Sequence, residues 1–267
     1  MGIVNVTPDS FSDGGEFFDH EKAIEHGMEL VRQGADVLDI GGESTRPGAD
    51  DVPLEEELRR VMPVVEGLAG AAPVSIDTTK AEVARQAIAA GARIVNDVTA
   101  LRGDPEMAGA CAEAGVEVVL MHMLGTPRTM QEDPRYDDVV GEVSEFLAVQ
   151  AGLAEAAGIA REKLWIDPGI GFGKTVDHNL ALLKSTRTLS EMGLPVLVGP
   201  SRKSFIGKLS GDAPEPRRLG GTIAACLAAM EGGAAMVRVH DVGPVAQAVR
   251  VASAIEAGSA DPARPRR

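Results

Sequence analysis

Asp77, Asn96, Asp167, Lys203 and Arg238 stand at or near the ends of short apolar runs. The runs are PVSID (73–77), RIVND (93–97), KLWID (163–167), PVLVGPSRK (195–203) and MVRVH (236–240). One polar side chain at the end of a buried strand could be an accident. The same arrangement at strand after strand predicts one polar pocket at one end of a parallel sheet. In a parallel α/β barrel that end carries the active site. Two carboxylates and an amide match a flat heterocycle with several N–H donors and ring-nitrogen acceptors, because a guanidine-like edge pairs bidentately with a carboxylate. Asp77, before Thr78 and Thr79, is also open to a capping role. Asp167, before Pro168 and Gly169, does not stand at a helix start.

A second set of residues suits an anion. NVTPDSFSDGG (5–15) and GGESTRPG (41–48) combine hydroxyls, an amide or a cation, and glycines that let backbone N–H groups approach an oxyanion. Arg46 can fork two phosphate oxygens, although alone it also reads as a solvated surface arginine. Arg238 and His240 alternate on one strand and so share a face. A cation inside MVRVH needs a buried reason. Lys203 lies in SRKS, where a strand gives way to a helix, and helix N-termini receive anions.

The elements that must position these residues alternate regularly. Strand-like runs at 2–6, 36–42, 73–77, 93–97, 117–122, 163–167, 195–199 and 236–240 are each followed by a helical pattern. The helices are expected at 21–34, 53–70, 80–91, 104–115, 136–158, 177–193, 216–233 and 243–257, with Thr78 or Thr79 capping the third. Eight uniform βα units favour a TIM (β/α)8 barrel over a doubly wound open sheet. The length of 267 residues is close to the roughly 250 of that barrel. No domain boundary is visible over 1–257. The tail 258–267 has no apolar periodicity and is expected to be disordered. Three long βα connections, 7–20, 43–52 and 123–135, lie on the C-terminal side of their strands and are expected to be functional.

Composition excludes several classes. A net charge of −14 argues against nucleic acid or an anionic membrane as a partner. It leaves an anionic small substrate open, because exposed charge is screened beyond about 8 Å. Cys111 and Cys226 sit in Ala-rich helical segments and read as buried free thiols, not as a disulfide framework. No apolar run approaches the roughly 18 residues of a membrane span. No secretion signal is visible, so the expected compartment is the cytoplasm. DPGIGFGKT (167–175) resembles a Walker A loop, but Pro168 stands where its first glycine belongs. Met121 and Met123 read as apolar wall, and His122 as a hydrogen-bonded structural group.

GIVNVTPDSFSDGG, DIGGESTRPG, SIDTTK, VNDVTA, MHMLGTPRTMQ, DPGIGFGK, GPSRKSFIG and RVHDV, in this order over residues 2–242, resemble the dihydropteroate synthase family. The resemblance implies a βα barrel, usually dimeric. It implies condensation of 6-hydroxymethyl-7,8-dihydropterin pyrophosphate with p-aminobenzoate, with Mg²⁺. Carried over by motif, Asp77, Asn96, Met121, Asp167, Lys203 and Arg238 would form the pterin pocket. Asn5 would coordinate Mg²⁺, and Asn5, Arg46, Arg238 and His240 would hold the pyrophosphate. Phe11, Thr45, Pro47, Phe172 and Ser204 would form the p-aminobenzoate site, where sulfonamides compete in the family. Lys203, Arg238, His240 and Asp77 would carry the chemistry. Relatives usually have a short segment before the first strand, whereas this chain begins at it. The nearest rival is a methyltetrahydrofolate:corrinoid methyltransferase, which needs the Asp/Asn pocket but no pyrophosphate site. A non-catalytic pterin-binding barrel is the rival of another class.

Overall fold

The computed structural model describes residues 1–7, 20–45 and 48–259. Six strands form one parallel sheet in sequence order: β1 (Gly2–Asn5), β2 (Leu38–Gly41), β3 (Val74–Asp77), β4 (Ile94–Asp97), β5 (Glu117–Met121) and β6 (Leu164–Asp167). β7 (Leu197–Val198) and β8 (Met236–Val237) pair separately. Two parallel bridges, Ile166 with Val196 and Gly2 with Val239, join the two sheets. Ile3 N–H donates to Val239 O at 3.0 Å, and Val239 N–H donates to Met1 O at 3.0 Å. The ring is therefore closed, and the architecture is the expected eight-stranded barrel.

Strand parity divides the side chains into two cores. Outward residues such as Val4, Ile40, Ile76, Val95, Leu120 and Ile166 pack against the helices, among them α1 (His20–Gln33), α2 (Leu54–Leu68) and α3 (Ala81–Ala89). Inward residues Met1, Val37, Ile94, Val119 and Leu197, with Trp165 and Met236, form a separate apolar cluster inside the ring. Such layers make a barrel interior a packed core and not a pore. The plug fills the N-terminal half, so inward side chains one step further along each strand face the open C-terminal mouth.

The remaining helices are α4 (Met107–Ala114), α5 (Val139–Ala156), α6 (Val176–Lys184), α7 (Thr186–Ser190), α8 (Ser204–Leu209), α9 (Leu219–Glu231) and α10 (Val242–Ala257). Three sequence expectations are corrected. The helix expected over 177–193 is two helices, broken at Ser185 (φ −101°, ψ 20°), where the Thr186 hydroxyl donates back to Leu183 O at 2.9 Å. The short α8 was not expected as a separate element. Neither Thr78 nor Thr79 caps α3: its N-cap is Lys80, with no side-chain cap, and Asp104 Oδ2 instead accepts from Ala81 N–H at 2.9 Å. Cys111 and Cys226 are buried free thiols, as expected. No helix is long and apolar enough to cross a membrane among the described residues. Most of the 7–20 connection and the tail from 260, for which function and disorder were expected, lie outside the described residues.

Candidate active site

Register sets the floor of the mouth. Asn5 pairs with Gly41, Gly41 with Asp77, and Asp77 with Asn96, so four strand ends lie at one level. Met121 pairs with Asp167 on the opposite arc. Asn96 and Asp97 show how parity sorts function. Asn96 points inward, and its amide donates to Asp39 Oδ2 at 3.1 Å. Asp97 points the other way and takes Thr99 N–H at 2.7 Å and Leu101 N–H at 2.9 Å, capping the turn that follows.

Thr45, Asp77, Asn96, Met121, Asp167, Phe172, Lys203 and Arg238 line one cavity, with Val98, Gly169, Ile170 and Gly199 between them. A second cavity meets it at Thr45, Asp77 and Val98, and is lined further by Glu43, Ser44, Thr78, Thr79 and Met123. All six residues expected at a pterin pocket therefore converge, together with Thr45 and Phe172. Asn5, Ser204 and His240 stand outside this lining. Asn5 is at the same level on β1, Ser204 opens α8 and is exposed, and His240 Nδ1 pairs with the Ser201 hydroxyl at 3.0 Å. Phe11, Arg46 and Pro47 lie outside the described residues.

Arg238 has the buried reason that its strand demanded. Its Nη2 donates to Asp77 Oδ2 at 2.7 Å, and its Nε donates to Asp39 Oδ2. Burial disfavours the guanidinium charge, but Asp39 and Asp77 outweigh this and hold its pKa above the ordinary arginine value. Burial pushes Asp77 up to about 7, with Asp39 adding to the rise and Arg238 opposing it. Burial likewise pushes Asp167 up to about 6, against the Gly169 N–H bond (2.7 Å) and the positive charge of Lys203. Asp167 thus does cap a turn through Oδ1 while it also lines the cavity. Lys203 Nζ lies 3.9 Å above the Phe172 ring, a cation–π contact that fixes both walls.

Two parts of the site were not evident from the sequence. Asp39 is fully buried in the middle of β2, and its Oδ1 has no hydrogen-bond partner among the described residues. Its parity with Gly41 could have placed it inward, but not opposite Arg238. Lys174 is also buried; its Nζ lies 3.0 Å from His122 Nδ1 and donates to Phe172 O at 2.9 Å. Burial lowers Lys174 to about 7, and burial with the Lys174 charge lowers His122 to about 3. His122 is thus the hydrogen-bonded structural group expected of it, and Met121 and Met123 join Val98 and Met130 as apolar wall.

Gly169 brings the turn after β6 against His122, just past the end of β5. Its φ is +66°, and a Cβ there would sit 1.9 Å from His122 O. Gly169→Ala is expected to cost about 2–4 kcal/mol through strain and that clash. Urea unfolding checks this; an unchanged midpoint would contradict the described turn.

Asn5 offers a neutral oxygen, and no group of three His, Cys, Asp or Glu side chains suited to a metal occurs among the described residues. An amide oxygen is a hard donor of the kind Mg²⁺ takes, but the usual Mg²⁺ site has one or two carboxylates, so Asn5 alone would leave most of the coordination to phosphate oxygens and water.

A closed parallel barrel with a charged cavity at the strand C-termini is the frame of a barrel enzyme. A family model for pterin binding enzymes matches residues 1–240, and the chain belongs to that family. Its relatives include dihydropteroate synthases. The one from Escherichia coli strain K12 is 50% identical over 256 residues, covering 95% of this chain and 90% of the relative. A solved dihydropteroate synthase from Xanthomonas albilineans with 4-aminobenzoic acid is 53% identical, with a TM-score of 0.91 over 96% of this chain and 92% of that one. A structure from the same organism in complex with 7,8-dihydropteroate is 49% identical, with a TM-score of 0.87 over 96% and 92%.

Proposed function

We propose that this chain condenses 6-hydroxymethyl-7,8-dihydropterin pyrophosphate with p-aminobenzoate, releasing pyrophosphate and 7,8-dihydropteroate. The convergence of Asp77, Asn96, Asp167, Lys203 and Arg238 round one cavity carries this reading. Relatives solved with 4-aminobenzoic acid and with 7,8-dihydropteroate support it. Asp167 receives the N–H edge of the pterin, Asn96 and Asp77 meet its ring nitrogens, and Met121 with the Arg238 plane encloses its faces. Phe172 and Thr45 border the side from which p-aminobenzoate enters, with Ser204, Phe11 and Pro47 assigned there by motif.

The bond that breaks joins pyrophosphate to a methylene on an electron-rich dihydropterin. The ring can delocalise the developing cation, so the step is S_N1-like. The protein must then stabilise departing negative charge, which Arg238, His240 and Arg46 do. Mg²⁺ held at Asn5 would neutralise pyrophosphate charge when bound. The aryl amine is already neutral near pH 7 and needs no strong base. A methyl transfer to a corrinoid needs no pyrophosphate site, whereas GGESTRPG and SRKSFIG supply one. The reading further places the enzyme in the cytoplasm, as a homodimer; light scattering tests the dimer.

Pyrophosphate release on adding both substrates tests the function directly. Lys203→Ala is expected to lower kcat/KM by more than about tenfold, because it removes the cation beside Asp167 and the support of Phe172. A variant within about twofold of wild type would remove Lys203 from the site.

A further inference from the structure

We propose that Glu57 and Lys80 are positioning residues that hold the root of the β2–α2 loop against the end of β3, and so set the affinity for the aromatic amine. The proposal rests on the reading above, in which Thr45 of that loop borders p-aminobenzoate. Glu57 lies on α2, outside the ring, and is fully buried. A carboxylate there persists only if it is paired and hydrogen-bonded. The Thr78 hydroxyl donates to Glu57 Oε1 at 2.7 Å. Lys80 Nζ donates both to Glu57 Oε2 and to Glu43 Oε2. Burial works against the Lys80 charge, but the bonds to Glu43 and Glu57 outweigh it and hold the pKa above the ordinary lysine value.

This one ammonium joins three elements. Thr78 directly follows Asp77, and Glu43 comes two residues before Thr45. Glu43 Oε1 also accepts from Val52 N–H at 3.4 Å, which ties the far end of the loop to its root. Arg60 Nη1 donates to Gly42 O at 2.8 Å. A Cβ on Gly42 would lie 2.7 Å from Val61 Cγ1 and 3.1 Å from Glu57 Cγ, so the loop starts directly on the stem of the buried carboxylate. Glu43, Thr45, Asp77 and Thr78 then line the same cavity. Asn96, Asp167 and Lys203 take no part in these bonds. Loss of Lys80 should displace the Thr45 side of the mouth and leave the pterin side in place.

The test compares wild type, Lys80→Met, Lys80→Arg and the double variant Glu57→Gln/Lys80→Met. It reads KM for p-aminobenzoate at saturating pterin pyrophosphate, the calorimetric Kd for pterin pyrophosphate, and the thermal midpoint. Lys80→Met is expected to raise KM for p-aminobenzoate about tenfold or more. Its Kd for pterin pyrophosphate should stay within about threefold of wild type, because Arg238 holds Asp77 from the other side and the remaining pterin contacts come from other strands. Lys80→Arg keeps the cation and should recover most of the KM. The double variant no longer buries a lone carboxylate, so it should recover the thermal midpoint while KM stays raised. An unchanged KM in Lys80→Met, or a double variant that recovers KM together with the midpoint, assigns these residues to stability alone and overturns the proposal. A wild-type protein that releases no pyrophosphate overturns the functional reading itself, and the proposal with it.

Discussion

Arg238→Met is expected to cost the fold about 3–5 kcal/mol and to lower kcat/KM by about 10²–10³-fold. Methionine keeps most of the volume, so the loss is chiefly electrostatic. Without the guanidinium, Asp39 and Asp77 would stand side by side in the barrel with no counter-charge from the end of β8, and Asp39 Oδ1 has no partner among the described residues even now. Breaking a buried pair from one side is far more costly than replacing it whole. The sign with pH follows from Asp77. Its carboxyl already titrates at about 7, raised chiefly by burial and lowered by Arg238. Removing Arg238 raises it further, so the native variant binds a proton that the unfolded chain releases above about pH 4. The variant should therefore regain stability as pH falls from 8 towards 5. Urea unfolding at the two pH values reads this. Equal losses at both would show that Asp77 is not the group left exposed to its neighbour's charge.

Asp167→Asn is expected to weaken pterin pyrophosphate binding by about 10–100-fold, the worth of a charge-assisted hydrogen bond. Binding of p-aminobenzoate should change less; calorimetry showing the reverse order would contradict the pocket assignment. The same variant should be more stable than wild type at high pH. Asp167 rises from 3.8 to about 6, chiefly through burial. Between those values the native state holds the proton more tightly than the unfolded chain does. Wild-type stability therefore falls as pH rises through that window, and the full penalty, on the order of 2–3 kcal/mol, is present by pH 8. Asparagine has no such penalty and can still accept from Gly169 N–H. The gain should vanish below about pH 4. A variant no more stable at pH 8 than wild type would mean that Asp167 is not a strained buried carboxylate.

The gain in stability and the loss of binding have one cause. A carboxylate that is held poorly solvated in the free protein is available to the donors of a ligand. The natural protein keeps that cost because the site needs it.

The barrel itself was legible because both-sided burial writes strands as Val/Ile runs, and helices as a different period. Eight repeats of that pattern left little choice of fold. The ends of the elements were less legible: the helix breaks at Ser185, where the Thr186 hydroxyl bonds back to Leu183 O, and α8 is only six residues long. At the site, Asp77, Asn96, Asp167 and Arg238 could be found because each interrupts an apolar run at a strand end, where a polar residue needs a reason, and Lys203 because it stands where the chain passes from β7 to the next helix. What the chain alone determined was which residues are polar where burial is expected. Which of them meet was decided only by closing the ring. Asp39 and Arg238 are 199 residues apart, and Glu57 and Lys80 are 23 apart on different elements. Local periodicity fixes the face on which a side chain stands, but a charge finds its partner through space, and only the register of eight strands sets that distance.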